Sequence, residues 1–120
     1  MHLSYTGSAK ALPVDEQFWP KLMSGAFGLD DGRLFSRGSM DATWKQWEMH
    51  PAGDEIVMLL SGVVDFVLEL DGGEQIVTLD APMSFVVVPA GVWHTARVHE
   101  PGEAIYITPG KGTEHRPIED

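Results

Sequence analysis

The sequence predicts an all-β fold, a barrel or sandwich of short strands preceded by an irregular N-terminal arm. Three observations lead there. From Arg33 onward the chain is a succession of short runs rich in β-branched and aromatic residues, separated by Gly, Pro and Asp. No alternation of strand-like and helix-like segments occurs, which argues against a parallel doubly wound sheet. The run Ile56-Val57-Met58-Leu59-Leu60 is apolar at every position, as expected of a strand covered on both faces.

Residues 1–32 form the arm. Pro13, Pro20, Gly25, Gly28 and Gly32 interrupt any long periodic pattern. Asp15 to Met23 can form one short helical turn with Phe18, Trp19 and Leu22 on one side, and Pro20 argues against anything longer. The arm is expected to pack across the barrel by its aromatics. The barrel, residues 33–110, has candidate strands at Arg33–Arg37, Thr43–His50, Glu55–Leu60, Val63–Leu70, Glu74–Leu79, Ser84–Val88, Val92–His99 and Ala104–Thr108. Asp71-Gly72-Gly73 is the clearest hairpin connection, because glycine accepts the positive φ of a tight turn. Pro51-Ala52-Gly53-Asp54, Pro89-Ala90-Gly91 and Pro101-Gly102 mark further turns. Residues 111–120 read as a polar C-terminal tail that frays.

At 120 residues the chain is one domain, large enough to bury a core without disulfide or metal staples. It has no cysteine, which excludes a disulfide framework, a thiolate zinc site and a cysteine nucleophile, and fits a reducing cytoplasm. The opening residues lack the basic and apolar regions of a signal peptide. No apolar stretch reaches the ~20 residues of a membrane helix. The net charge of −10 argues against a nucleic-acid partner and is read as solubility. The doubly covered Ile56–Leu60 strand faces the arm, a second sheet or a second subunit, and the last motivates a homodimer.

The chemistry concentrates in Glu48, His50, Glu55 and His94. Residues two apart in a strand share a face, so Glu48 and His50 project together. The Pro51–Asp54 turn then reverses the chain, and Glu55 opens the next strand opposite them. His94 follows the Pro89-Ala90-Gly91 turn and begins a later strand. Two carboxylates and two imidazoles converging from three strands suit a first-row divalent metal. Taken singly, His50 reads as a turn histidine, Glu48 and Glu55 as solvated carboxylates and His94 as a core histidine. Together, their spacing favours a metal over a metal-free pocket. His2, His99 and His115 fall outside the pattern and are expected at the surface.

At these residues the chain resembles the cupin superfamily. The first motif of that superfamily aligns with Ala42, Glu48, His50, Glu55 and Gly62, and the second with Met83, Pro89, Gly91, His94 and Val98. His50, Glu55, Gly62, Pro89, Gly91 and His94 match. Ala42, Glu48, Met83 and Val98 depart, standing where the family has Gly, His, Gly and Asn. The resemblance implies a double-stranded β-helix, the jelly-roll barrel. It places His50, Glu55 and His94 at three of the four metal-ligand positions and Glu48 at the fourth. A glutamate ligates through oxygen, which hardens the site toward Fe, Mn or Zn. As an alternative, Glu48 stands in the pocket as a general base and leaves three protein ligands.

Strand parity then gives the pocket wall. Trp44 and Gln46 share the face of Glu48, Val57 and Leu59 that of Glu55, and Val92, Ala96 and Val98 that of His94. A mostly apolar interior of this kind suits a small organic molecule with one oxygen-bearing end. Trp47 has the opposite parity and points outward, toward the arm or a partner. The resemblance implies a metal-dependent enzyme of dioxygenase or isomerase type. The competing reading is a non-catalytic binding or sensing module. No catalytic residue and no organic cofactor is assigned by the sequence.

Overall fold

The computed structural model describes residues 1–13, 15–23 and 31–119, with the side chains of Trp19 and Met23 outside that set. The expected turn glycines Gly25 and Gly28, and the aromatic contact of Trp19, lie outside the described residues.

Among the described residues, eleven strands and one short helix follow in order: β1 (His2–Leu3), β2 (Ala9–Lys10), α1 (Phe18–Met23), β3 (Arg33–Met40), β4 (Gln46–Met49), β5 (Glu55–Leu59), β6 (Val63–Leu70), β7 (Gly73–Leu79), β8 (Phe85–Val88), β9 (His94–Glu100), β10 (Gly102–Thr108) and β11 (Glu114–Pro117). They make two antiparallel sheets, of order β2-β1-β3-β10-β5-β8 and β11-β4-β9-β6-β7. The core cluster draws on both. Met40, Val57, Leu59, Val86, Val88 and Ala104 come from the first sheet, and Val64, Phe66, Leu68, Leu79 and Ala96 from the second. This is a jelly-roll arrangement of two sheets over one core. No helix among the described residues is long and apolar enough to cross a membrane.

The alternation rule explains most of the burial. In β5, Glu55, Val57 and Leu59 point inward and are buried, while Ile56 and Met58 are half-buried on the outer face. The expectation of two fully covered faces is thus met on the inner face only. Outward, Ile56 lies beside Ile107 and Val87, and Met58 beside Ile105 and Phe85, which makes a continuous apolar surface ending on the edge strand β8.

The ends of the chain differ from the reading of the sequence. Residues 114–117, expected as a fraying tail, form β11 and pair with β4 from Glu114↔Met49 to Pro117↔Gln46. Their sequence, Glu-His-Arg-Pro, has no apolar alternation, so the strand is made by its partner rather than by propensity. In the arm, β1 pairs with both β2 and β3, although two-residue strands leave no periodic trace. His2, expected at the surface, is buried and bonds the Asp31 carbonyl through Nε2. Helix α1 is short, as Pro20 requires, and the Asp15 carboxylate accepts a hydrogen bond from the Gln17 amide at its start, 2.8 Å away.

Residues with positive φ mark two of the strand connections. Gly62 has φ +89°, and a Cβ there would lie 2.5 Å from the Glu100 carbonyl oxygen, so only glycine fits. Met83 has φ 72°, the one non-glycine residue with positive φ among the described residues, and it occupies a position where the cupin motif carries glycine.

Candidate metal centre

The centre lies between the sheets. The second sheet supplies three of its side chains. Glu48 comes from β4, His94 opens β9 directly opposite Glu48, and His50 follows the end of β4. The first sheet supplies Glu55, the inward-facing first residue of β5. Two turns lock the approach. The Gly91 amide donates to the His50 carbonyl at 3.0 Å, and the Ala90 amide donates to the Asp54 carboxylate at 2.8 Å. The Pro51–Asp54 and Pro89–Gly91 turns are thereby tied together, which sets the two imidazoles with ring centroids 5.3 Å apart.

The four side chains meet. Glu48 Oε1 is 2.9 Å from His50 Nε2, Glu55 Oε2 is 3.3 Å from the same nitrogen, and Glu55 Oε1 is 3.2 Å from His94 Nε2. Donor atoms of Glu48, His50 and His94 all lie within 4.8 Å of one another, so this triad can hold a metal ion. His50, Glu55 and His94 have side chains only 0–3% exposed, and Glu48 is 25% exposed. The centre therefore opens to solvent past Glu48.

Hydrogen bonding shows what the donors are prepared for. His94 Nδ1 is 3.1 Å from the Val92 carbonyl, which can only accept, so the proton sits on Nδ1. In the neutral ring, Nε2 then offers a lone pair to the centre. Glu55 Oε2 accepts a 2.6 Å bond from the Thr108 hydroxyl. Three buried side-chain atoms among the described residues have no hydrogen-bond partner in the protein: His50 Nε2, Glu55 Oε1 and His94 Nε2. All three point into this one place. Their contacts with one another have the separation of ion pairs but not the direction of hydrogen bonds. Leaving such atoms unmatched costs about 1–3 kcal/mol each. An ion with ~2.1 Å bonds spaces neighbouring donors about 3.0–3.4 Å apart, and the 3.3 and 3.2 Å between Glu55 and the two imidazoles fall in that range. Two carboxylates would also balance the charge of a divalent cation. The residues present fit a metal.

Electrostatics agree. Burial opposes charging of His50, but the carboxylates of Glu48 and Glu55 outweigh it and raise the imidazole from 6.5 to about 9. Burial likewise opposes ionisation of Glu55, yet His50, His94 and Thr108 lower it from 4.5 to about 2. With no metal, a proton on His50 thus plays the part of the cation. Tyr106, in β10, is raised by burial and then by the charges of Glu55 and Glu48, so its phenol stays protonated.

The wall residues divide. Trp44 and Gln46 line an open groove of about 400 Å³ with Ala42, Thr43, Lys45, Glu48 and His115. Val57, Leu59 and Ala96 belong to the packed core at 0–1% exposure, with Val92 and Val98 packed against it. Trp44 reaches inward as well, edge-on to Phe66 with centroids 5.8 Å apart. Trp47 faces outward and lies under the Arg116 guanidinium, 5.2 Å from its ring centre.

Three residues at the centre escaped the sequence reading. Thr108, in β10, donates to Glu55. Thr113 bonds His50 Nδ1 at 2.8 Å, and His115, expected at the surface, has Nε2 3.4 Å from Glu48 Oε2 while remaining 43% exposed. The last two arrive on the C-terminal segment, whose polar sequence gave no strand signal. His99 is exposed and pairs with Asp65 at 2.7 Å.

No family profile matches the chain, and no curated protein sequence does. Solved structures do. A cupin-2 domain protein from Shewanella frigidimarina superposes with a TM-score of 0.53 at 20% identity, over 72% of this chain and 91% of that one. A hydroquinone 1,2-dioxygenase with Cd²⁺ and 4-hydroxybenzonitrile gives 0.55 at 16% identity, over 88% and 82%. A hydroquinone 1,2-dioxygenase from Sphingomonas sp. TTNP3 with bound 4-hydroxybenzoate gives 0.53 at 13% identity, over 87% and 83%.

Proposed function

Because the chain has the cupin fold, we propose that it binds one divalent metal ion through Glu48, His50, Glu55 and His94. One observation carries the reading: three buried polar atoms without partners, on three different side chains, converge on one point. The donor set of two nitrogens and carboxylate oxygens suits Fe, Mn or Zn. A bound ion would supply Lewis acidity, and iron would add redox chemistry. The chain's own residues would orient a small organic molecule in the groove beside Glu48, the exposed donor. The core beneath keeps water from the other three.

Two uses of such a centre remain in view. The hydroquinone dioxygenases among the structural neighbours support a metal-dependent enzyme of dioxygenase or isomerase type. The groove beside Glu48, which opens to solvent, supports a second reading, a non-catalytic module that binds or senses a small ligand. Reconstitution with Fe²⁺ under air, followed by oxygen uptake with phenolic and diketone substrates, separates them. Turnover that disappears in His94→Ala supports the enzyme. Stoichiometric metal without any uptake removes the dioxygenase reading.

We also propose that two copies pair through the outer face of the first sheet. Support comes from the edge strand β8, where Phe85 and Val87 are 58% and 45% exposed, and from the apolar rows that continue onto β5 and β10. A solely monomeric species in analytical ultracentrifugation at micromolar concentration would remove this proposal.

A further inference from the structure

His50 lies just past the end of β4, where no strand ladder governs its ring. The C-terminal segment governs it instead. His50 Nδ1 is 2.8 Å from Thr113 Oγ1, across 63 residues of sequence. The Thr113 hydroxyl has a single proton, and it donates that proton to the Gly110 carbonyl at 2.9 Å. The hydroxyl oxygen can therefore only accept from His50, and the imidazole must carry a proton on Nδ1.

This assignment is opposed from inside the centre. Glu48 Oε1 at 2.9 Å and Glu55 Oε2 at 3.3 Å both face His50 Nε2, and each would attract a proton there. A neutral ring protonated on Nε2 has no lone pair to give a metal. In the neutral ring, Thr113 and the two carboxylates thus compete for one proton, and only the Thr113 side leaves Nε2 a donor.

The rest of the segment keeps Thr113 in place. Gly112, at φ +76°, brings the backbone so close to Pro51 that an added Cβ would meet its Cγ at 3.1 Å. Beyond Thr113, β11 is held on β4, and the Arg116 guanidinium lies over Trp47 at 5.2 Å and Trp93 at 4.7 Å while pairing with Glu69.

We propose that Thr113 is a positioning residue of the metal centre: by accepting the Nδ1 proton of His50 it makes Nε2 the nitrogen left bare when the ring is neutral, and so makes the C-terminal segment a working part of the site. This rests on the metal-binding reading above. Partners of this kind behind a metal-bound histidine change affinity by about 10–100-fold when removed.

The test uses the full chain with Thr113→Val, Thr113→Ala and Thr113→Ser, each first checked for a cooperative thermal transition. Zn²⁺ affinity is measured by competition with a chromophoric chelator. The His50 tautomer is read by long-range ¹H–¹⁵N NMR on metal-free protein at roughly pH 10.5, above the value of about 9 at which the ring loses its charge. Wild type and Thr113→Ser should show Nδ1–H. Thr113→Val and Thr113→Ala should move population to Nε2–H and bind Zn²⁺ about 10–100-fold more weakly, with Thr113→Ser close to wild type. An unshifted tautomer, or an affinity within about twofold of wild type, overturns the proposal. Should the wild type bind no Zn²⁺, the metal reading fails separately. The tautomer alone then decides: its shift in Thr113→Val and Thr113→Ala upholds the role of Thr113, and its persistence overturns it.

Discussion

Loading the centre with a divalent ion should expel about one proton per chain at pH 7. In the metal-free protein His50 is raised to about 9, two units above that pH, so ~99% of its rings are protonated. Glu55 is lowered to about 2 and is already ionised. Thr113 retains the Nδ1 proton, so the proton released comes from Nε2, the atom that faces Glu48 and Glu55. A metal competing with one proton gains roughly tenfold in apparent affinity per pH unit, hence about 100-fold between pH 6 and pH 8. Calorimetric titration with Zn²⁺ in two buffers of different ionisation heat counts the protons, and repetition across that pH range gives the affinity slope. Release below roughly 0.3 proton, or an affinity flat with pH, would refute the idea that His50 is a protonated ion-pair partner which becomes a ligand through Nε2.

Three further outcomes rest on the same geometry. In the metal-free protein, His50 has a raised value, so its contribution is complete below about 6.5 and fades as pH rises through about 9, a loss of up to ~3 kcal/mol; Glu55 has a lowered value, so its contribution holds above 4.5 and is lost as pH falls through about 2. These are two faces of one ion-paired cluster and are counted once, and urea denaturation in EDTA should find the protein more stable near pH 5.5 than near roughly pH 9.5, with equal stabilities contradicting the assignment. Gly62→Ala should destabilise by at least ~2 kcal/mol, since its Cβ would lie 2.5 Å from the Glu100 carbonyl at a φ of +89°, and a urea midpoint unchanged from wild type would contradict this. Met83→Gly should stabilise by about 0.5–1 kcal/mol, because relief of left-handed strain exceeds the added freedom of glycine and the 64% exposed side chain packs little; a lower midpoint would contradict it.

The strands of the barrel were legible because two-residue periodicity and turn residues both survive in the sequence. Val63–Leu70 is found at its expected bounds, and β5 and β8 are each displaced by a single residue at one end. The meeting of Glu48, His50, Glu55 and His94 was legible from parity plus two proline-bearing turns. Which of the inward-facing side chains border open space was not. Parity says only which side chains face inward; Trp44 and Gln46 border the groove beside Glu48, whereas Val57, Leu59 and Ala96 belong to the buried core. The C-terminal strand was hidden for another reason. Glu114-His115-Arg116-Pro117 is polar because it lies at a sheet edge, and it is held by stacking on Trp47 and Trp93 rather than by burial of its own apolar residues. With it went the signal for Thr113 and His115, which only the β11–β4 register brings to the centre.

One ion shared by four side chains is the arrangement that the metal centre requires. Crystals of the Zn²⁺-loaded protein, measured at the zinc absorption edge, locate that ion directly. The expected result is a single anomalous peak about 2.0–2.3 Å from Nε2 of His50, Nε2 of His94 and a carboxylate oxygen each of Glu55 and Glu48. No peak between these residues at full Zn²⁺ loading, or a peak bound elsewhere with His50 still paired to Glu48 and Glu55, would contradict it.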